Sequence, residues 1–215
     1  DLSSFYTPKV ENMDSMFTNC SSLKTLNVKN FDTSLVTNMD YMFSNCSALE
    51  NLDLNSFNTS LITNMAELFY NCKSLKTLSI DNFDTSGVQS MKSMFYNCFS
   101  LITLDLSSFD TSKVTEMDSM FYNCYKTSSL NINHFKTSNV IYIQNMFYNC
   151  KGLKSLNLSL IDTSKVINMT NVFKSCLNLL ELYLLNIYYL LRIFFLCHIL
   201  LLLFVRLKNL VNNKL

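Results

Sequence analysis

The chain has 215 residues, of which 49% are hydrophobic and 15% are charged, and its formal net charge is +1. A charge so close to zero argues against a nucleic-acid-binding protein and against a field that attracts acidic substrates. The length accommodates one or two domains. Only two glycines and one proline occur, so we expect asparagine, serine, threonine and aspartate to form the turns through local side-chain hydrogen bonds.

Cysteine recurs at a constant interval. The first seven cysteines are 26 residues apart, and they are Cys20, Cys46, Cys72, Cys98, Cys124, Cys150 and Cys176. An interval of this size is typical of stacked structural repeats. The stretch DLSSF opens the chain and recurs at residues 105–109. We therefore expect the chain to begin inside a repeat, as a fragment or a processed product would.

Each repeat opens with a short apolar pattern followed by a polar corner. In residues 23–48, Leu26 and Val28 are two residues apart, which places both side chains on one face of a strand. The stretch FDTS follows, and its polar residues predict a tight corner with Phe31 turned inward. At the corner phenylalanine position, one repeat carries Ile161 instead.

The second half of the repeat carries an apolar pattern with helical spacing. In the stretch 39–46, methionine, phenylalanine and cysteine stand at i, i+3, i+4 and i+7, which predicts one face of a short helix. Asn38 is a candidate N-cap, and Asn45 can adopt the left-handed conformation that ends a helix. A single repeat buries too little surface to fold alone, so we expect about seven repeats to stack over residues 1–187.

These motifs resemble the BspA-like leucine-rich repeats of bacterial surface proteins. The stretches that carry the resemblance are MFSNCSALENLDL at 42–54, LFYNCKSLKTLSI at 68–80 and MFYNCFSLITLDL at 94–106. The resemblance implies an α/β solenoid with parallel strands on its concave face and short helices on its convex face. It also implies a non-enzymatic cell-surface protein that binds proteins or glycans in adhesion, with no catalytic residues and no cofactor.

Departures from the repeat cluster late in the chain. Thr127 replaces a strand leucine, Lys136 replaces an aspartate, and Ile143 replaces a methionine. We therefore expect the coil at residues 124–150 to be the most weakly stacked, with faster amide exchange than the coil at 98–124.

The periodic cysteines allow several chemical interpretations. A disulfide framework needs facing side chains, whereas equivalent residues of stacked coils point in parallel directions. A metal site needs clustered ligands, but His134 and His198 are isolated in the sequence. A nucleophile would need an adjacent base, and seven equivalent copies favour packing over catalysis. The cysteines are therefore interpreted as buried free thiols, with no metal site.

The outward-facing strand positions form a polar, nearly uncharged row, and the concave sheet of a solenoid is its usual binding surface. The alternative is that these side chains only keep the sheet hydrated. The candidate residues of this concave binding face are Thr25, Asn27, Asn51, Asp53, Thr77, Ser79, Thr103, Asp105, Ser129, Asn131, Ser155 and Asn157.

The repeat pattern stops after Ile187. Residues 187–205 read IYYLLRIFFLCHILLLLFV and basic residues follow, which predicts a membrane anchor within a C-terminal segment at 188–215. Two alternatives are a cap that seals the last coil and a shifted reading frame. The anchor would place the repeats on the cell surface; the alternative is a cytoplasmic scaffold for protein–protein interaction.

Overall fold

The structure is a computed structural model that describes residue 2 and residues 4–183. Over this range the chain winds into stacked coils, and equivalent residues of adjacent coils lie side by side. A parallel backbone bridge joins Asn12 to Asn38, 26 residues further on. This offset equals the interval between the cysteines, so the predicted repeat is the structural unit of a solenoid.

Short parallel strands form along one side of the stack. They are β1 (Asn51–Asp53), β2 (Thr77–Ser79), β3 (Ser155–Asn157) and β4 (Glu181–Tyr183). Strand β1 pairs with β2, and β3 pairs with β4. The equivalent residues 103–105 and 129–131, which lie between the two sheets, are not strands. The predicted parallel strands are therefore confirmed for part of the stack. We call residues 51–53 and their equivalents the strand face.

The predicted convex helices are absent from the described residues. The stretch 39–46 forms consecutive turns instead, and we call it and its equivalents the turn face. Tyr41 and Asn45 have φ angles of 56° and 61°, and a left-handed residue interrupts an α-helix. Positive φ recurs at these two positions in the other coils, at Ser15, Asn19, Glu67, Asn71, Ser93, Asn97, Ser119, Asn123, Asn145, Asn149, Asn171 and Ser175.

Hydrogen bonding explains why turns replace the helix. The Met42 N–H donates to the Met39 carbonyl within the same segment, at 3.2 Å. The next N–H, from Phe43, donates to the Leu68 carbonyl of the following coil, at 3.1 Å. An α-helix needs successive N–H groups to bond four residues back. Here alternate groups bond to the neighbouring coil, so the segment joins coils rather than forming a separate element.

The core consists of columns of identical apolar side chains. Phe43, Phe69 and Phe95 are fully buried, and their ring centroids are 5.8 and 5.6 Å apart along the stack. Met39 and Cys46 are buried beside them, as the sequence predicts. Each such side chain contributes about 1.5–3 kcal/mol on burial, and stacking also covers the apolar end of each coil.

The polar corner has a structural role, as the first DTS motif at residues 32–34 shows. Asp32 accepts the Ser34 backbone N–H at 2.9 Å and closes the turn. The buried Thr33 hydroxyl donates to the Asn58 carbonyl of the next coil at 3.1 Å. Phe31 is buried at this corner, which confirms that it points inward. This DTS motif therefore both forms its corner and joins it to the next one.

The C-terminal predictions lie outside the described residues. The membrane anchor proposed for residues 187–205 belongs to this part of the chain, as do its two alternatives. Within residue 2 and residues 4–183, no helix is long and apolar enough to cross a membrane.

Candidate binding surfaces

From Cys46 to Cys176 the cysteine column is buried and hydrogen bonded, whereas Cys20 is half-buried. The Cys98 thiol donates to the Phe69 carbonyl at 3.2 Å, and the same contact joins Cys72 to the Phe43 carbonyl at 3.2 Å. The described cysteines are free thiols and all but Cys20 are buried, which confirms that interpretation for Cys46 to Cys176. Burial raises the pKa of Cys98 to about 12. A thiol held protonated in this way is not a nucleophile at neutral pH.

The strand face is polar and accessible. The candidate residues predicted on it are all exposed or half-buried in the structure. Thr77 donates its hydroxyl to the Asn51 side-chain carbonyl at 2.6 Å, across adjacent coils. Such contacts order the side chains before any partner arrives, which reduces the entropy lost on binding.

A shallow depression of about 330 Å³ lies on this face. Its polar lining residues are Thr25, Asn27, Asn51, Asp53, Thr77 and Ser79. The structure thus brings together six of the twelve predicted residues. Lys29 lies 3.3 Å from the Asp53 carboxylate, and Lys76 lies 2.6 Å from Glu50. These exposed pairs place both signs of charge around the depression, so a partner there must offer mixed polar chemistry.

The other predicted residues lie further along the same face. Ser155 and Asn157 belong to β3, whereas residues 103–105 and 129–131 are outside any strand. Asp105 accepts the Ser107 backbone N–H at 2.9 Å, and this hydrogen bond lowers the pKa of the carboxyl. Asp105 therefore stabilises a turn and keeps a negative charge at neutral pH.

The turn face carries aromatic columns that the sequence-based search for a site did not identify. Tyr70, Tyr96, Tyr122 and Tyr148 stack with ring centroids 4.7, 4.4 and 4.5 Å apart. The rings are half-buried. The sequence does contain a signal for this column, namely the recurrence of tyrosine immediately before Asn-Cys. Identical residues one period apart lie side by side in stacked coils.

An asparagine ladder runs beside the tyrosines. Asn97 donates its side-chain N–H to the Asn71 side-chain carbonyl at 2.6 Å, and Asn123 donates to Asn97 at the same distance. Each of these residues has a positive φ, which asparagine tolerates better than most residues. One residue type therefore satisfies both the backbone conformation and the contact between coils.

Basic side chains lie at the end of the aromatic columns. The Lys174 ammonium lies 5.8 Å from the Tyr148 ring centroid, and the Lys151 ammonium lies 5.3 Å from that of Tyr125. Phe99 stacks on Tyr125 at 4.8 Å. The turn face is thus a rigid aromatic surface with cations over its last rings.

The fold is a solenoid of the leucine-rich repeat class, with short parallel strands on one side and turns on the other. The chain belongs to the family described as "Mycoplasma protein of unknown function, DUF285", which matches residues 1–98 and 74–182. This is a BspA-like repeat family, so the resemblance drawn from the sequence is confirmed. Among curated proteins, none matches this chain.

Three solved structures of leucine-rich repeat proteins are similar to this chain. The T. pallidum protein TpLRR is 22% identical with a TM-score of 0.47, covering 69% of this chain and 63% of its own. A cell surface protein of Faecalibacterium prausnitzii is 21% identical with a TM-score of 0.42, covering 74% and 44%. A Bacteroides ovatus protein is 17% identical with a TM-score of 0.43, covering 82% and 53%. This chain spans between 44% and 63% of their lengths.

Proposed function

We propose that this chain is a non-enzymatic binding scaffold that recognises a protein through its strand face. The observation that carries the proposal is the depression lined by Thr25, Asn27, Asn51, Asp53, Thr77 and Ser79. Its polar side chains are ordered by contacts between coils, such as the 2.6 Å hydrogen bond from Thr77 to Asn51. Preordered polar groups favour specific recognition because little entropy is lost when a partner binds.

A protein partner fits this face better than a small ligand. The depression is shallow and open, whereas sites for small molecules are concave and enclose most of the ligand's surface. Opposite charges alternate around it, with Lys29 beside Asp53 and Lys76 beside Glu50. Alternating charge rewards a partner of complementary pattern and penalises others. A glycan, which would use the same hydroxyl and amide groups, is the other occupant to be tested.

The test places a large charged side chain inside the depression. Asn51→Arg and Thr77→Arg should each reduce binding at least tenfold in a screen against purified proteins and a glycan array. Thr63→Arg is the matched control, because Thr63 is exposed and lies outside the depression. A partner whose affinity is unchanged by both strand-face substitutions would contradict the proposal. A glycan that loses affinity in both variants would replace the protein as the ligand.

Display on the cell surface is part of the proposal. It is supported by the resemblance to bacterial surface proteins and by the apolar stretch at residues 187–205. Antibody labelling of intact cells that express the full chain should detect the repeats. Labelling that requires permeabilised cells would contradict surface display.

An intracellular scaffold is the second candidate, and the free thiols favour it. Cys46, Cys72 and Cys98 are unpaired, as expected in a reducing compartment, where thiols are kept reduced. Cell fractionation separates the candidates, since the scaffold would be recovered with cytoplasmic proteins. Both candidates use the same strand face, so the arginine variants apply to either.

A further inference from the structure

Equivalent segments of four adjacent coils form a strip that carries positive charge and contains no carboxylate. This basic strip, which includes the tyrosine column, consists of residues 68–74, 94–100, 120–126 and 146–152. Its charged residues are Lys73, Lys126 and Lys151, and all three are exposed. The strip shares no residue with the strand-face depression. An inference drawn from it is therefore independent of the proposed strand-face function.

The lysines of the basic strip lack the ion pairs that other lysines form. On the same side of the stack, the Lys92 ammonium lies 3.6 Å from the Asp118 carboxylate. Among the described residues, no carboxylate lies within ion-pair distance of Lys73, Lys126 or Lys151. Their positive charge is therefore available to a partner.

The carboxylates of the turn face lie at one border of the basic strip. They are Asp14, Asp40, Glu67 and Asp118. All four occupy the two columns that contain Asp40 and Tyr41, just before the strip in sequence. Glu67 interacts there with both Tyr70 and Lys92. The net charge of +1 therefore conceals a separation of positive from negative groups.

The aromatic rings of the basic strip cover one another's faces. Tyr122 lies between Tyr96 and Tyr148, with ring centroids 4.4 and 4.5 Å away. Phe99 and Tyr125 stack in the same way, at 4.8 Å. Half-buried rings stacked like this present their edges to solvent, and the edge of an aromatic ring carries partial positive charge. The rings therefore reinforce the attraction of the lysines for an anionic group.

The same stacking disfavours sugars and nucleic-acid bases. Bases bind aromatic side chains by stacking on open ring faces, and sugar C–H groups are attracted to the negative faces rather than the edges. The face of Tyr125 that Phe99 leaves open is covered by the Lys151 ammonium, 5.3 Å from the ring centroid. Burial and the neighbouring tyrosines raise the pKa of Tyr122 to about 12, so its hydroxyl adds no negative charge at neutral pH.

We propose that the basic strip binds an acidic, extended segment of a protein partner, which lies along the stack and places carboxylates against Lys126 and Lys151. Glutamate and aspartate side chains reach the ammonium groups and the ring edges without stacking on a ring face. Because equivalent groups recur in each of four coils, one extended segment contacts several of them at once. The strand face plays no part in this binding.

The location is tested by reversing single charges. The full chain is titrated into fluorescently labelled poly-L-glutamate, and binding is followed by fluorescence anisotropy. Lys126→Glu and Lys151→Glu should each weaken binding by about 3- to 10-fold, because each replaces an attraction by a repulsion. Lys113→Glu is the matched control, since it makes the same charge change at an exposed corner lysine outside the strip, and it should weaken binding by less than about twofold. Equal weakening by all three variants, or by none, would overturn the proposal.

The nature of the contact is tested with milder variants and with salt. Lys151→Arg keeps a cation over Tyr125 and should bind poly-L-glutamate as the parent chain does, whereas Lys151→Gln should bind more weakly. Both variants serve if Lys151→Glu unfolds, as circular dichroism would show. Raising the salt concentration from about 0.05 to 0.5 M should weaken binding by the parent chain more than binding by Lys151→Gln. Binding that is insensitive to salt would overturn the proposal.

Other occupants of the basic strip are distinguished by further probes. Polygalacturonate carries the same carboxylate on a sugar chain, and single-stranded DNA carries phosphates beside bases that can stack. If either binds more tightly than poly-L-glutamate and loses affinity in Lys126→Glu, a protein segment is not the partner. Analytical ultracentrifugation tests the last alternative. Self-association of the chain that Lys126→Glu abolishes would make the strip an interface between copies, and the proposal would be wrong.

Discussion

Neighbouring coils in the middle of the solenoid are joined differently on its two faces. On the turn face, the Ser93 and Phe95 N–H groups each donate to the following coil at 2.9 Å. On the strand face of the same coils, residues 103–105 and 129–131 form no strand, and Leu104 has no backbone hydrogen bond to either side. In these middle coils the turn face therefore holds the coils in register, and the strand face is a polar surface with fewer structural constraints. Substitutions should separate these two roles.

Alkaline pH should have the largest effect, because it acts on the thiols behind the turn face. Burial raises the pKa values of Cys46, Cys98 and Cys176 to about 12, from an ordinary value of 9.0. Folded-state pKa values above the unfolded ones give stability that is complete below pH 9 and lost as the pH rises towards 12. The free energy of unfolding should fall by about 1.4 kcal/mol per pH unit for each thiol.

Urea unfolding followed by circular dichroism between pH 8 and 12 measures this loss. Cys98→Ala provides the control. It should reduce the slope of the free energy of unfolding against pH by the contribution of one thiol. A free energy of unfolding that is flat between pH 9 and 11 would show that the thiols are not desolvated.

The second prediction compares an asparagine on each face. Asn97→Ala places alanine at a φ of 59° and removes two side-chain hydrogen bonds. The strained backbone contributes about 1–2 kcal/mol and each bond about 0.5–1.5 kcal/mol. Asn131→Ala, on the exposed strand face, should change stability by less than about 0.5 kcal/mol. Chemical denaturation of both variants measures the difference.

Asn97→Gly separates the two causes. Glycine accepts the positive φ, so this variant should recover the backbone part of the loss but not the hydrogen bonds. Equal destabilisation by Asn97→Ala and Asn131→Ala would remove the distinction between the faces.

The third prediction concerns the tyrosine column. Tyr122→Leu keeps an apolar side chain but removes stacking with Tyr96 and Tyr148, whose ring centroids lie 4.4 and 4.5 Å away. Stacked pairs contribute about 0.5–1.5 kcal/mol each, so the loss of two pairs should cost about 1–3 kcal/mol. Tyr122→Phe keeps the stacking and should lose less. Thermal unfolding compares the two variants, and identical melting temperatures would show that stacking contributes nothing.

The smallest expected effect is a difference in amide exchange within one coil. The Phe95 N–H donates to the Met120 carbonyl at 2.9 Å, whereas the Leu104 N–H has no such partner. Opening should therefore require about 0.5–1.5 kcal/mol more at Phe95 than at Leu104, the contribution of one hydrogen bond. Exchange measured by nuclear magnetic resonance or mass spectrometry tests this. Faster exchange at Phe95 would reverse the comparison.

The sequence predicts the period and the thiol column, because the seven cysteines recur at a constant interval, and it predicts the inward phenylalanines, because only Ile161 interrupts their column. It does not predict the turn conformation. Tyr41 and Glu67 adopt positive φ, although neither residue type signals it, and the i, i+3, i+4, i+7 pattern is shared by a helix and by these turns. The hydrogen bonds to the next coil decide between them, and they exist only in the stack.

The candidate surfaces were predicted to a similar extent. The alternation of apolar and polar residues along each strand predicts which positions face outward. It does not predict the depression, because residues of three coils line it. Thr127, taken as a weak point at residues 124–150, donates its hydroxyl to the Leu101 carbonyl at 2.8 Å. Faster amide exchange in that coil stays a prediction.

The thiol-to-carbonyl contact has a consequence for how the protein is made. Before a coil docks, its cysteine is accessible, and an oxidant can link it to any other cysteine of the chain. Once Cys98 reaches the Phe69 carbonyl, burial keeps it in the unreactive thiol form. Docking of each coil therefore competes with oxidation of its cysteine while the protein folds. In an oxidising environment the yield should depend on how quickly each coil docks on the one before it.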